Sequence, residues 1–174
     1  MLEISPKGKI VKETCILPKG VKDGGFAFMR NARRLDNGHF LVAHYGDQCV
    51  KEYDANGKVV WKLDVPGGPH SLTRLPNGHT LIAVADKDQN PRLIEVTPEG
   101  KTIWEISNAD IPGKPLKFLG GFQYFSDGRF LITNWTGHVN PKEKVHLLLV
   151  DRQKNVLYSL CLLYTSPSPR DRQK

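Results

Sequence analysis

No stretch of this chain approaches the roughly 18 consecutive apolar residues that a membrane-crossing helix requires, so no span is expected in it. Sustained helical spacing of apolar residues is also missing, which sets helix bundles aside and leaves strands as the building material. The start lacks a charged-then-apolar leader. There is no phosphate-cradling glycine loop, and no nucleophile-base-orienter set can be assembled by motif from Ser, His and Asp. Cysteine is scarce at three residues, and Cys15 and Cys49 lack the close spacing of metal-ligand pairs. They can pair or stay free, so the redox compartment is open.

What is present is the composition of a globular domain: 174 residues, 39% hydrophobic and 25% charged. The formal charge of +7 includes residues 161–174, which hold Cys161, Arg170, Asp171, Arg172 and Lys174 and break the pattern of the rest. One back-translation of this tail resembles a sequencing adaptor, and it is set apart as non-native. Without it the balance is 22 basic against 17 acidic residues, a net +5. The positive residues are scattered through turns and strands, with no aromatic-studded basic stripe, so nucleic acid is not an expected partner.

Repetition is the strongest signal. Asp54-Ala55-Asn56-Gly57-Lys58-Val59-Val60-Trp61 returns 43 residues later as Thr97-Pro98-Glu99-Gly100-Lys101-Thr102-Ile103-Trp104. Weaker copies begin at Asp151, ending on Tyr158, and at Ser5, ending on Lys12. A second repeated phrase carries Asn37-Gly38, Asn77-Gly78 and Asp127-Gly128 between apolar runs, which reads as a two-residue hairpin turn. A third strand and a Gly-Lys turn follow each time, giving four strands per unit. Gly-to-Gly steps of 40 and 50 residues fall in the range of propellers and solenoids. Four antiparallel strands joined by tight turns specify a propeller blade. The expected architecture is all-β: the last two strands of one blade at 1–12, then blades at about 26–63, 70–106 and 120–160. Three and a half blades do not close a ring, so remaining blades are expected outside this sequence.

The residues Asp54, Gly57, Lys58 and Trp61, repeated as Gly100, Lys101 and Trp104, resemble the tryptophan-docking motif of the PQQ-like repeat superfamily, the quinoprotein alcohol dehydrogenase-like propellers. The resemblance covers residues 1 to about 160 and implies that Trp61, Trp104 and, at the last copy, Tyr158 dock on the neighbouring blade. Such repeats also occur in propellers without quinone, so PQQ does not follow from it. A periplasmic or secreted location is implied by the resemblance alone.

Alternating turns of up-and-down blades sort the loops onto two faces. The uniform Gly turns share one and read as scaffold. The other collects individual residues, Tyr45 and Asp86-Lys87-Asp88 among them, and the candidate ligand-binding residues Arg30, His44, His70, Asn134, Trp135 and His138. First strands start near the central channel, where His70, Arg30 and the Gly120-Gly121 backbone converge in this reading. His70 is the candidate general base, and its structural alternative is a hydrogen bond to a loop carbonyl. His44, His70 and His138 come from three successive blades but lack paired spacing, so no metal site is assigned. The leading function is a binding or interaction module for a small molecule or protein at this face. The alternative is an enzyme, either a quinoprotein-like oxidoreductase or a transferase or lyase using His70.

Overall fold

The structure, a computed structural model, describes residues 1–17, 25, 28–85, 90–136 and 145–161. Among these residues there are fourteen strands and no helix, and no helix long and apolar enough to cross a membrane. Strands β1 (Leu2–Ile4) and β2 (Ile10–Glu13) pair as a half-blade. Three four-stranded antiparallel sheets follow, each in simple sequence order. Blade 1 holds β3 (Asn31–Arg34), β4 (Phe40–His44), β5 (Cys49–Tyr53) and β6 (Val59–Asp64). Blade 2 holds β7 (Pro69–Arg74), β8 (Thr80–Val84), β9 (Arg92–Val96) and β10 (Thr102–Ser107). Blade 3 holds β11 (Leu119–Tyr124), β12 (Phe130–Asn134), β13 (Leu147–Val150) and β14 (Val156–Leu160). Strand β7 packs against both β3 and β11, so first strands line the inner side of an incomplete propeller ring.

The turns differ from the two-residue hairpin read from Asn-Gly. The Leu35 amide donates to the His39 carbonyl at 2.8 Å and the Gly38 amide to the Leu35 carbonyl at 2.9 Å, which closes a three-residue loop. Only the glycine has positive φ (+82°), not Asn37. A type I′ turn needs both central residues there, whereas a type I turn with a bulge needs one. Asn37 instead accepts the His39 amide on its side chain at 3.0 Å. The same geometry recurs at Leu75 and Phe125, and again in the turns between third and fourth strands at Asp54, Thr97 and Asp151, where Lys154 takes the place of Gly57 and Gly100 with φ +70°. At Gly57 (φ +84°) a Cβ would stand 2.6 Å from the Cys15 carbonyl oxygen, because the chain leaving the half-blade crosses this turn.

Period-2 alternation divides each blade between two neighbours. Phe40, Val42 and Tyr53 pack with Met1 and Ile16 on the half-blade side. Leu41, Ala43 and Val50 pack with Leu72, Ile82, Val84, Ile94 and Val96 of blade 2. Leu81, Ala83 and Leu93 in turn meet Phe130, Ile132, Leu148 and Val150 of blade 3. The second strands of blades 1 and 2 are therefore buried on both faces, as their unbroken apolar runs require, whereas β12 of blade 3 leaves Leu131 half-buried and Thr133 exposed on its outer face.

The tryptophans bridge these junctions. Trp61 Nε1 donates to the Pro98 carbonyl of blade 2 at 2.8 Å, and Trp104 Nε1 to the Arg152 carbonyl of blade 3 at 2.9 Å. Tyr158, on the last strand of blade 3, is 56% exposed. Beside each bridge runs an ionic relay. Glu52 accepts from His39 Nδ1 at 2.8 Å and from Arg74 of blade 2 at 2.7 Å. Glu95 accepts from His79 Nδ1 at 2.7 Å and pairs with Arg152 of blade 3.

Candidate functional site

Repeat register explains which side chains meet on the inner side of the ring, where β7 packs against β3 and β11. Asn31, Ser71 and Gly121 each sit opposite the same second-strand position, at Ala43, Ala83 and Thr133. The residues just before them, Arg30, His70 and Gly120, therefore occupy one repeat position in three successive blades. His70 Nδ1 lies 2.7 Å from the Gly120 carbonyl. A carbonyl only accepts, so Nδ1 carries the proton and Nε2 keeps its lone pair. Burial holds the His70 imidazole below its ordinary pKa, the Gly120 bond opposes this, and the Arg30 charge adds to the lowering.

Aromatic rings extend from this histidine across all three blades. Tyr45 of blade 1 meets His70 edge-on at 6.3 Å between centroids, and Phe118 meets it at 5.1 Å. Trp135 of blade 3 contacts Phe118 edge-on at 5.6 Å, and the Arg30 guanidinium lies over Tyr45 at 4.9 Å. Tyr45 is seated directly on the Gly68 backbone (φ +73°), where a Cβ would be 2.7 Å from the ring. Gly68 is thus needed both for its conformation and for this approach. Trp135 remains 53% exposed, a large aromatic surface facing solvent.

The structure separates the sequence candidates. Arg30, His70 and Trp135 belong to one cluster, joined by Tyr45 and Phe118. Phe118 was not among the candidates; it occupies the repeat place of Gly68, where no pattern marks an aromatic. His44 lies inside blade 1, fully buried. Its Nδ1 donates to the Phe28 carbonyl at 3.2 Å, and Tyr53 donates to its Nε2 at 2.8 Å. Both nitrogens are engaged, so a ligand has no atom of His44 to bind. Burial lowers the pKa of His44 and pushes the Tyr53 phenol up to about 12. Asn134 is likewise buried. Its Oδ1 accepts the Lys117 and Phe118 amides at 2.7 and 3.3 Å, while Nδ2 donates to the Pro115 and Val145 carbonyls at 3.2 and 2.7 Å. It holds the loop that presents Phe118 and positions the site from behind. His138 and residues 86–88 lie outside the described residues. Among the described residues no group of three His, Cys, Asp or Glu side chains is placed to hold a metal.

A pH dependence follows from the two depressed histidines. Each is harder to protonate folded than unfolded, so the unfolded chain binds more protons as pH falls below about 6.5. Their contribution is complete above that value and is lost as pH drops toward the folded pKa. Urea midpoints are expected to fall between neutral pH and about pH 5, and less steeply in His70→Gln. An unchanged slope in that variant contradicts a depressed His70.

No known family model matches the chain, and no curated protein matches it. Among solved structures, a protein of unknown function from Bacteroides caccae is similar with a TM-score of 0.77 and 24% identity, covering 91% of this chain and 58% of that one. A streptogramin B lyase is similar with a TM-score of 0.60 and 15% identity, covering 93% and 47%. A catalytically inactive histidine-to-alanine virginiamycin B lyase from Staphylococcus aureus, with quinupristin, gives a TM-score of 0.58 and 15% identity, covering 93% and 48%. The chain thus spans about half the length of the structures it matches. Together with the sheet order, these likenesses establish the fold as a β-propeller.

Proposed function

We propose that the loop face around the channel binds a small organic molecule, with Tyr45, Phe118 and Trp135 supplying aromatic surface, Arg30 a positive charge and His70 Nε2 a proton acceptor. The observation that carries this reading is the run of rings from Arg30 to Trp135 across three blades, centred on a histidine whose Nε2 makes no hydrogen bond among the described residues. Apolar walls with a few convergent polar groups are the usual make-up of a small-molecule site. We read the scaffold as a propeller of PQQ-like repeats, supported by the bonds of Trp61 and Trp104 to the following blade.

The test is a thermal-shift screen of aromatic acids, glycosides and peptides, followed by titration of the binders. Trp135→Ala is expected to weaken binders about tenfold or more, measured against the variant's own unliganded melting temperature, which falls modestly because part of the ring packs on Phe118. Binders indifferent to both Trp135→Ala and Tyr45→Leu overturn the placement. A second reading, a lyase with His70 as general base, is favoured by its neutral imidazole and by the similar lyase that an alanine at histidine inactivates. Conversion of the bound compound, lost in His70→Gln, separates the two.

A further inference from the structure

Two blade junctions of the same chain differ around the bridging tryptophan. At the junction of blades 2 and 3, Trp104 stacks on Phe130 at 4.9 Å and 20°, Arg152 lies over it at 5.4 Å, and Tyr124 leans on Phe130 at 5.2 Å. At the junction of blades 1 and 2, register puts Thr80 where Phe130 stands and Arg74 where Tyr124 stands. Pro98 takes the place of Arg152, since each accepts the tryptophan N–H. Thr80 shares a strand face with Ile82 and Val84, which pack toward Trp61. It is fully buried, and its hydroxyl has no hydrogen-bond partner.

At this junction the Arg74 guanidinium, not a ring, lies over Trp61 at 5.0 Å, and a cleft of about 670 Å³ opens beside the pair, on the turn face opposite the channel-mouth cluster. That volume is within the usual range for small-molecule sites, roughly 300–1,000 Å³. Trp61, Leu35, Pro76 and Pro98 give it apolar walls. Its charges are unevenly compensated. Arg74 and Glu52 neutralise each other at 2.7 Å, and His39 holds the other Glu52 oxygen. Arg34 is 61% exposed, with Glu3 no closer than 4.0 Å. Asp36 lies exposed among the lining residues and disfavours a second negative charge.

We infer that this cleft is a second binding site, for a small aromatic monocarboxylate whose ring packs against Trp61 and Pro98 and whose carboxylate pairs with Arg34. The ring replaces the aromatic surface that Phe130 and Tyr124 contribute at the next junction. The carboxylate meets the guanidinium in the planar, two-pronged geometry that favours arginine. This site stands independently of the channel-mouth reading, because no residue is common to the two.

The probe is 2-naphthoate, titrated into the nitrogen-15-labelled chain while the three indole N–H signals are followed. The Trp61 signal is expected to shift saturably and the Trp104 signal to stay in place. Arg34→Gln, at an exposed position that leaves the fold intact, is expected to weaken binding about tenfold. No saturable Trp61 shift at millimolar probe, a shift confined to Trp135, or equal affinity in Arg34→Gln each overturns the site.

Discussion

Glu95→Ala is expected to destabilise the chain by about 3 kcal/mol, the lower end of the range for breaking a buried ion pair. The Glu95 side chain is 3% exposed and serves His79 at 2.7 Å and Arg152 of the next blade at once. Its loss leaves the guanidinium over Trp104, Tyr124 and Phe130 with no carboxylate to answer it. Because Arg152 is 31% exposed, water compensates part of that charge, which is why the low end applies. Urea unfolding of Glu95→Ala, Arg152→Ala and the double variant isolates the pair. A coupling of at least about 1 kcal/mol is expected, and additive losses contradict the relay. Glu52→Ala is an internal comparison. Glu52 is 13% exposed and Arg74 also donates to the Gly78 carbonyl at 3.0 Å, so the loss there is expected to be smaller.

These relays show where the sequence could be read and where it could not. Turn glycines and apolar runs were legible because each repeats with its own local cause, a left-handed residue or a strand covered on both sides. Glu52 and Glu95 are also repeated, within Lys51-Glu52-Tyr53 and Ile94-Glu95-Val96. Their partners Arg74 and Arg152 come from different repeat positions, however, so no spacing rule connects them. The turn type was misread because Asn-Gly serves both two-residue and three-residue loops, and the choice rests on the φ of Asn37.

The candidate site was legible in part for a similar reason. His44, Val84 and Asn134 close the second strand of their blades at one repeat position. An apolar residue in the middle copy marks that position as interior, and both polar copies are indeed spent on buried hydrogen bonds. Arg30, His70 and Gly120 also differ from blade to blade, at a position just before the inner strands pair. Neither set is alike from blade to blade, so what distinguishes the interior position is its apolar copy, Val84, which the Arg30, His70 and Gly120 position lacks. Phe118 escaped detection since its role depends on the loop that Asn134 holds, a contact spanning 16 residues.

His70 is expected to be the most reactive histidine toward diethyl pyrocarbonate among those described, and its replacement to have the largest effect on any turnover. Acylation needs a neutral nitrogen with a lone pair. His70 Nε2 provides one, because Nδ1–H is committed to Gly120 and burial keeps the ring deprotonated. His44 is neutral for the same reason, but Tyr53 occupies its Nε2 inside the blade, so it should stay unmodified while the fold persists. Peptide mapping after brief treatment distinguishes the two, and a compound bound at the channel mouth should slow modification of His70 alone. If that compound is also converted, His70→Gln is expected to lower kcat by about 10²–10⁴, the usual worth of a general base. Added imidazole should restore part of the rate in His70→Ala, where it can enter the vacated space. A histidine that only ties blade 2 to Gly120 predicts otherwise: His70→Gln, still able to donate to that carbonyl, would keep full activity, and imidazole would do nothing.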